Sequence, residues 1–368
     1  MKQWIECLLE SYKRFPDISA YICEQMDENN LIISPLTATF AIEESCNLKC
    51  KHCWGTGVNK NVYNPSTELL MLAINKLSKV NILKITITGG EVFLREDIWE
   101  IIKQIKKCKM MLTILTNGTL LDESNIEKLA ANLNLKTDIV QVSLDGTERI
   151  HNIQRNTDIY IKVIKAIRRL RSYDVKIRVH FVATPINVSS MEDTYKVVND
   201  LGVDIFSVVP VYGQGKGLKM SCELDYYKYL EKIYKVKLLS QKGRTLFQYV
   251  IPIQIFYYLR DVDLTNRFIK SNFRVSLLKC LSNIAINVNG DFYPYNLIHK
   301  DFLLGNIYQQ DIPNFNENEV YSKILAGRDL NNTKCMACKF FNYCQGGDLL
   351  RTYRKYRTFD MPDPDCLL

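Results

Sequence analysis

Between Leu36 and Val211 six short β-rich runs alternate with helical stretches, and this alternation confines the chain to a parallel α/β architecture. The candidate strands are Thr37–Glu43, Leu83–Thr88, Met111–Thr116, Asp138–Asp145, Lys176–Ala183 and Asp204–Val211. Between them, Ile98, Ile101, Ile102 and Ile105 recur at helical spacing, as do Ile161, Ile164, Ile167 and Leu170, and each set predicts a face packed on the sheet. Parallel α/β folds place their sites at the carboxyl ends of strands. Chemistry-bearing residues stand at those ends here: a cysteine-rich run after the first strand, TGGE after the second, TNG after the third and SLDG at the fourth.

The flanks differ. Residues 1–35 predict a helical extension, 36–217 the α/β unit and 218–274 an aromatic-rich connection, while 275–368 opens with a β-hairpin read from an Asn-Gly-Asp turn between two alternating runs. With 368 residues, 47% apolar and 24% charged, the chain is long enough and mixed enough to bury a large core. The longest apolar run, Tyr249 to Leu259, is about half a membrane span and contains a proline, and the first residues lack a signal-peptide pattern. A cytoplasmic protein without a membrane partner is expected. The net charge of +8 is spread along the chain, which suits solubility and an acidic ligand and does not call for nucleic acid.

In a chain of this type, clustered cysteines among a total of twelve point to metal binding or chemistry rather than to a disulfide framework. EESCNLKCKHCWG sets Cys46, Cys50 and Cys53 in a Cys-x3-Cys-x2-Cys spacing, with no fourth thiol nearby. Thiolates are the soft ligands of zinc and iron–sulfur clusters. A structural zinc site wants four ligands; a 4Fe–4S cluster held by three leaves one iron open to bind something else. The C-terminal run CMACKFFNYC supplies Cys335, Cys338 and Cys344, followed by Cys366. These four can close a shell around either a cluster or zinc.

The first triplet, with His52 at the position before its last cysteine, resembles the signature of the radical S-adenosylmethionine (SAM) superfamily. That resemblance implies a partial (β/α)6 TIM-like barrel, a 4Fe–4S cluster on Cys46, Cys50 and Cys53, and SAM chelated at the open iron. It further implies reductive cleavage of SAM to a 5′-deoxyadenosyl radical that abstracts hydrogen from the substrate, with the electron coming from a flavodoxin- or ferredoxin-type donor. His52, Gly89, Gly90, Glu91, Asn117, Ser143 and Arg155 then stand as cofactor-binding residues; Val92 replaces the proline that usually follows the GGE motif.

The second cysteine group resembles the SPASM extension of such enzymes, which carries auxiliary clusters. Of the seven cysteines in that pattern, Cys280, Cys335, Cys338, Cys344 and Cys366 are present, and Tyr295 and Asp348 replace two. The resemblance implies a second 4Fe–4S cluster on Cys335, Cys338, Cys344 and Cys366, with the inner auxiliary cluster lost. Cys280 is then a candidate hydrogen-atom donor, with Cys222 a second, and Asn296 stands where an acidic proton acceptor is expected in oxidising members. The family further implies a ribosomally made peptide as substrate. Alternatives are a dehydrogenase or epimerase of a small molecule such as a sugar-derived alcohol, and a non-catalytic iron–sulfur electron carrier. The basic run RTYRKYR, Arg351 to Arg357, can form a solvated face or engage an acidic peptide or phosphate.

Overall fold

The computed structural model describes residues 35–55, 63–211, 213–250, 283–295, 297–326, 328–344 and 346–368. Most of the N-terminal extension, Cys280, Asn296 and residues 251–274 of the connecting region lie outside these.

One sheet runs through the described residues. Its ten strands are β1 (Thr37–Glu43), β2 (Lys84–Gly89), β3 (Met111–Thr116), β4 (Ile139–Ser143), β5 (Ile177–Ala183), β6 (Ile205–Pro210), β7 (Leu246–Tyr249), β8 (Asn283–Ile286), β9 (Asp291–Pro294) and β10 (Gly305–Asn306). They stand in the order β10-β9-β8-β1-β2-β3-β4-β5-β6-β7. The first six are the strands expected from the sequence, and consecutive members pair in parallel. A seventh parallel strand, β7, adds to β6 from within the connecting region. It is short and carries two exposed positions, so its alternation is weak in the sequence.

The hairpin of β8 and β9 does not stand apart from the α/β unit. Strand β8 pairs in parallel with β1, Thr37 to Phe40 against Asn283 to Ile286, and β9 then runs antiparallel to β8. The sheet therefore crosses the position near residue 275 where the sequence texture changes. Strand β1 becomes an interior strand of the sheet.

Helices α1 (Thr67–Lys79), α2 (Ile98–Lys107), α3 (Glu123–Asn132), α4 (Glu148–Arg155), α5 (Tyr160–Ser172) and α6 (Met191–Asp200) connect the strands. Side-chain caps fix several starts: Ser66 Oγ accepts from Leu69 N and Asp122 Oδ1 from Asn125 N. In α2 the four isoleucines read from the sequence are all buried. Burying such a side chain stabilises by about 1.5–3 kcal/mol. In α5 the buried face is Val163, Ile164, Ala166, Ile167 and Leu170, whereas Ile161, expected on it, is exposed. Three successive steps of three residues carry the direction round by roughly half a turn, so Ile161 and Leu170 point to opposite sides.

Residues of one strand alternate between two faces. Ile85, Ile87, Leu112, Ile114, Val140, Val142 and Val179 are fully buried on the helix-covered face. Strand register then sets Asn283, Thr37, Lys84, Thr113, Gln141, Arg178 and His180 together on the opposite, concave face. Apolar residues such as Leu115, Ile139 and Val182 share that face, so its polar groups are interspersed among them.

The C-terminal part continues with α7 (Gly217–Glu223), α8 (Tyr226–Ser240), α9 (Glu319–Leu325), α10 (Phe341–Cys344) and α11 (Leu349–Tyr356). No helix among the described residues is long and apolar enough to cross a membrane.

Candidate functional site

The loop leaving β1 carries Cys46, Cys50 and Cys53. Two backbone hydrogen bonds pin its start to the end of β2: Gly90 N donates to Glu43 O at 2.7 Å and Glu91 N to Ser45 O at 2.8 Å. So close an approach excludes side chains. A Cβ on Gly89 would lie 2.0 Å from Glu43 O, and one on Gly90 2.0 Å from Ser45 O. The glycines of TGGE thus have a structural reason to be there, whatever else they touch.

Glu91 turns fully inward. Its carboxylate accepts from Thr116 Oγ1 and Asn117 N, both at 2.7 Å, and from Phe93 N at 3.3 Å. Burial pushes its carboxyl up to about 7, against the lowering effect of these donors. Glu91 therefore ties the ends of β2 and β3 together. Asn117 continues the connection, since its Nδ2 donates to Asn47 Oδ1 at 2.8 Å, and Asn47 Nδ2 donates to Thr119 Oγ1 at 2.8 Å. Asn47 lies inside the cysteine loop, so β3 holds that loop directly.

From the other side, the SLDG segment and α4 reach the same loop. Arg155 Nη2 pairs with Asp145 Oδ2 at 2.7 Å, and Arg155 Nη1 donates to Cys50 Sγ at 3.6 Å. Asp145 Oδ1 accepts from Val182 N at 2.9 Å. Burial alone would raise the Asp145 carboxyl, but the Arg155 guanidinium beside it holds it below the ordinary carboxylate range. Both members of the pair are buried.

His52 faces Asp145, with Nε2 at 3.6 Å from Oδ2, and burial pushes its imidazole down to about 4. It turns toward Asp145. His151 Nδ1 accepts from Asp145 N at 3.0 Å, and burial, followed by Arg155, pushes it down to about 3. His180 in the middle of β5 is likewise pushed down to about 4 by burial. Three neutral imidazoles thus surround one Arg–Asp pair. Asp145, His151 and His180 were not singled out as site residues from the sequence. A usable signal was there: of only four histidines in the chain, three fall in the barrel segment. Ser143, the last residue of β4, pairs with His180 across the sheet and is half-buried on the concave face.

The trio of thiols is a donor set of three soft ligands, with Cys50 buried and Cys46 and Cys53 half-buried in one loop. Burial raises the Cys46 thiol, and Cys50, Glu91 and Cys53 add to that rise, which shows how near these anionic groups stand. Positive charge from iron would relieve it. Among the described residues no three His, Cys, Asp or Glu side chains gather as the ligands of a single metal ion do.

In the C-terminal part, Cys335, Cys338, Cys344 and Cys366 line one cavity of about 290 Å³. Burial, reinforced by the other three thiols, pushes Cys344 up to about 11. Arg328 braces the surrounding loops through Phe359 O at 2.7 Å, Gly347 O at 3.1 Å and Thr352 Oγ1 at 3.0 Å.

Two positions where the sequence pattern has lost cysteines are occupied structurally. Asp348 caps α11, its Oδ1 accepting from Arg351 N at 2.7 Å, and Tyr295 N donates to Asn283 O at 2.8 Å beside the hairpin. The basic run is partly engaged within the chain: Arg351 pairs with Asp363 at 2.7 Å, and Tyr353 donates to Asp301 at 2.9 Å. Cys222 is exposed on α7.

Residues 42–201 match the model of the Radical SAM superfamily. Over 321 residues the chain is 27% identical to the antilisterial bacteriocin subtilosin biosynthesis protein AlbA of Bacillus subtilis, covering 85% of this chain and 67% of that protein. It is 24% identical over 345 residues to the mycofactocin maturase MftC of Mycobacterium ulcerans, covering 91% of this chain and 88% of that protein. Its fold is similar to that of Streptococcus suis SuiB bound to the precursor peptide SuiA, with a TM-score of 0.75 at 18% identity over 96% of this chain and 80% of that one. A similar fold is seen in anSMEcpe with bound AdoMet, with a TM-score of 0.66 at 20% identity over 89% of this chain and 93% of that one. With the thiol loop, the GGE segment and the Arg–Asp pair converging at the strand ends, residues 42–201 form a radical SAM domain and the chain is a SAM-dependent enzyme.

Proposed function

We propose that the protein modifies a peptide by SAM-dependent hydrogen abstraction. The carrying observation is that similarity to a bacteriocin biosynthesis protein and a mycofactocin maturase extends over 85–91% of the chain, well beyond residues 42–201. Cys46, Cys50 and Cys53 would hold a 4Fe–4S cluster, and Cys335, Cys338, Cys344 and Cys366 a second. When bound, such a cluster supplies an electron to SAM, and SAM supplies the hydrogen-abstracting group.

The chain's own residues position and insulate that chemistry. Arg155 directs one guanidinium nitrogen at Cys50 and anchors the other on Asp145, which fixes the loop. Glu91 and Asn117 fasten the loop from the β2 and β3 side, so the three thiols are held from both flanks. Gly89 and Gly90 let the start of the cysteine loop pack directly on the end of β2. Ser143 and His180 face the concave side below. His52, Gly89, Gly90, Glu91, Asn117, Ser143 and Arg155 form the SAM-side environment in this reading, and a small acidic redox protein serves as electron donor.

The test is anaerobic reconstitution followed by dithionite and SAM. Production of 5′-deoxyadenosine supports the reading, and an iron–sulfur protein that makes none is an electron carrier instead. A mass change in a short peptide encoded beside the gene then separates peptide maturation from small-molecule oxidation.

A further inference from the structure

Among the described residues, the concave face carries two cations with no anionic partner. Lys84 opens β2 and Arg178 lies in β5, and register sets both on that face. Both are half-buried. The Arg178 guanidinium has one side-chain contact, a 3.4 Å hydrogen bond from Nη1 to Gln141 Oε1, and its Nε is buried without a hydrogen-bond partner. Among the described residues Lys84 makes no ion pair. Burial, then Arg178 and Lys176, push its ammonium down to about 8, so three basic groups share this region.

The nearest carboxylate is committed elsewhere. Asp138 pairs with Lys106 of α2 at 2.6 Å and accepts from Leu112 N and Asn134 N, both at 2.8 Å. Further buried polar atoms without a hydrogen-bond partner stand on the same concave face: Thr113 Oγ1, His180 Nδ1 and Asn283 Oδ1. Desolvated cations and unmatched polar atoms are costly to fold unless a ligand completes them. All stand on the face of the sheet opposite the packed helices, with Lys84 and Arg178 toward the amino ends of β2 and β5.

We propose that Lys84 and Arg178 bind a carboxylate of the substrate, so that the enzyme selects a peptide presenting an acidic side chain or its free C-terminus to the concave face. This rests on the peptide reading above and narrows it to a substrate class. Arg178 offers a planar fork for a carboxylate, and Lys84 adds a point charge from the neighbouring half of the sheet.

The test uses three peptides with reconstituted, SAM-loaded enzyme at low ionic strength, measured by equilibrium dialysis. One is an acetylated, amidated glycine pentapeptide with a central aspartate, the second its asparagine counterpart, the third acetylated pentaglycine with a free C-terminal carboxylate. At least one carboxylate peptide is expected to bind about tenfold more tightly than the asparagine peptide. Which one does so identifies the source of the carboxylate. The preference should disappear in K84M and R178M and persist in K84R, which keeps the charge and controls for folding. Equal binding of all three peptides, or a preference that survives in both methionine variants, overturns the proposal. Formation of 5′-deoxyadenosine by the wild-type enzyme without peptide tests the radical SAM reading separately; an enzyme that forms it yet shows no carboxylate preference refutes this inference alone.

Discussion

The Arg155 guanidinium donates to the Cys50 sulfur at 3.6 Å across 105 positions of sequence, and Asp145 holds it there at 2.7 Å. A buried ion pair is thus placed directly behind a thiol of the cysteine loop. Its energetic weight lies in what its loss would leave unpaired.

Replacing Asp145 with Asn should destabilise the fold by about 3–5 kcal/mol, because Arg155 would remain charged and buried without its counter-ion. Denaturant unfolding of the unloaded protein measures this. A loss below about 1 kcal/mol would show that the pair contributes no more than an exposed one.

The neutral histidines set an acid limit. His151 and His180 sit at about 3 and about 4 in the folded state, below the ordinary 6.5 they regain on unfolding. The unfolded chain therefore binds more protons between those values, and stability falls as pH drops from about 6.5 toward 4. Each group contributes a slope of about 1.4 kcal/mol per pH unit. H180Q should flatten the stability profile by one proton's worth over that window, and an unchanged profile would show that His180 does not stay neutral.

Gly90 leaves no room for a methyl group, since its Cβ would lie 2.0 Å from Ser45 O. G90A should push the start of the cysteine loop away from β2 and lower iron content after reconstitution by about four atoms per chain. Full loading in G90A would show that the loop can shift without losing its thiol arrangement.

Iron counting separates the cluster assignments. The wild type should hold about eight irons per chain, and C335S about four while still forming 5′-deoxyadenosine from the remaining cluster. About twelve in the wild type would mean that the inner auxiliary cluster is retained. About four irons with one zinc would assign the C-terminal thiols to zinc.

Much of the barrel could be read from the sequence because β1 to β6 and the α2 face carry strong periodicity, and the motifs fall at strand ends where the fold needs glycine or a polar side chain. What escaped depends on contacts remote in sequence. Nothing local to Asn283 indicates that it pairs with Thr37, and β7 is too short and too exposed to register as a strand. Ile161 was misplaced because a repeat of three drifts around the helix. At the site, Arg155 was legible only as a position after SLDG; its contact with Cys50 and the gathering of His52, His151 and His180 on Asp145 arise from the tertiary fold.

The parallel pairing of β8 with β1 also bears on how the chain reaches its native state. Until residues 283–286 have been synthesised, β1 offers an unsatisfied flank next to the segment that bears Cys46, Cys50 and Cys53. Nascent or truncated chains ending before that point would expose a sticky strand edge, which invites association with other copies. A barrel fragment cut at the sequence boundary near residue 275 should therefore aggregate, whereas one extended through β9 should remain monomeric.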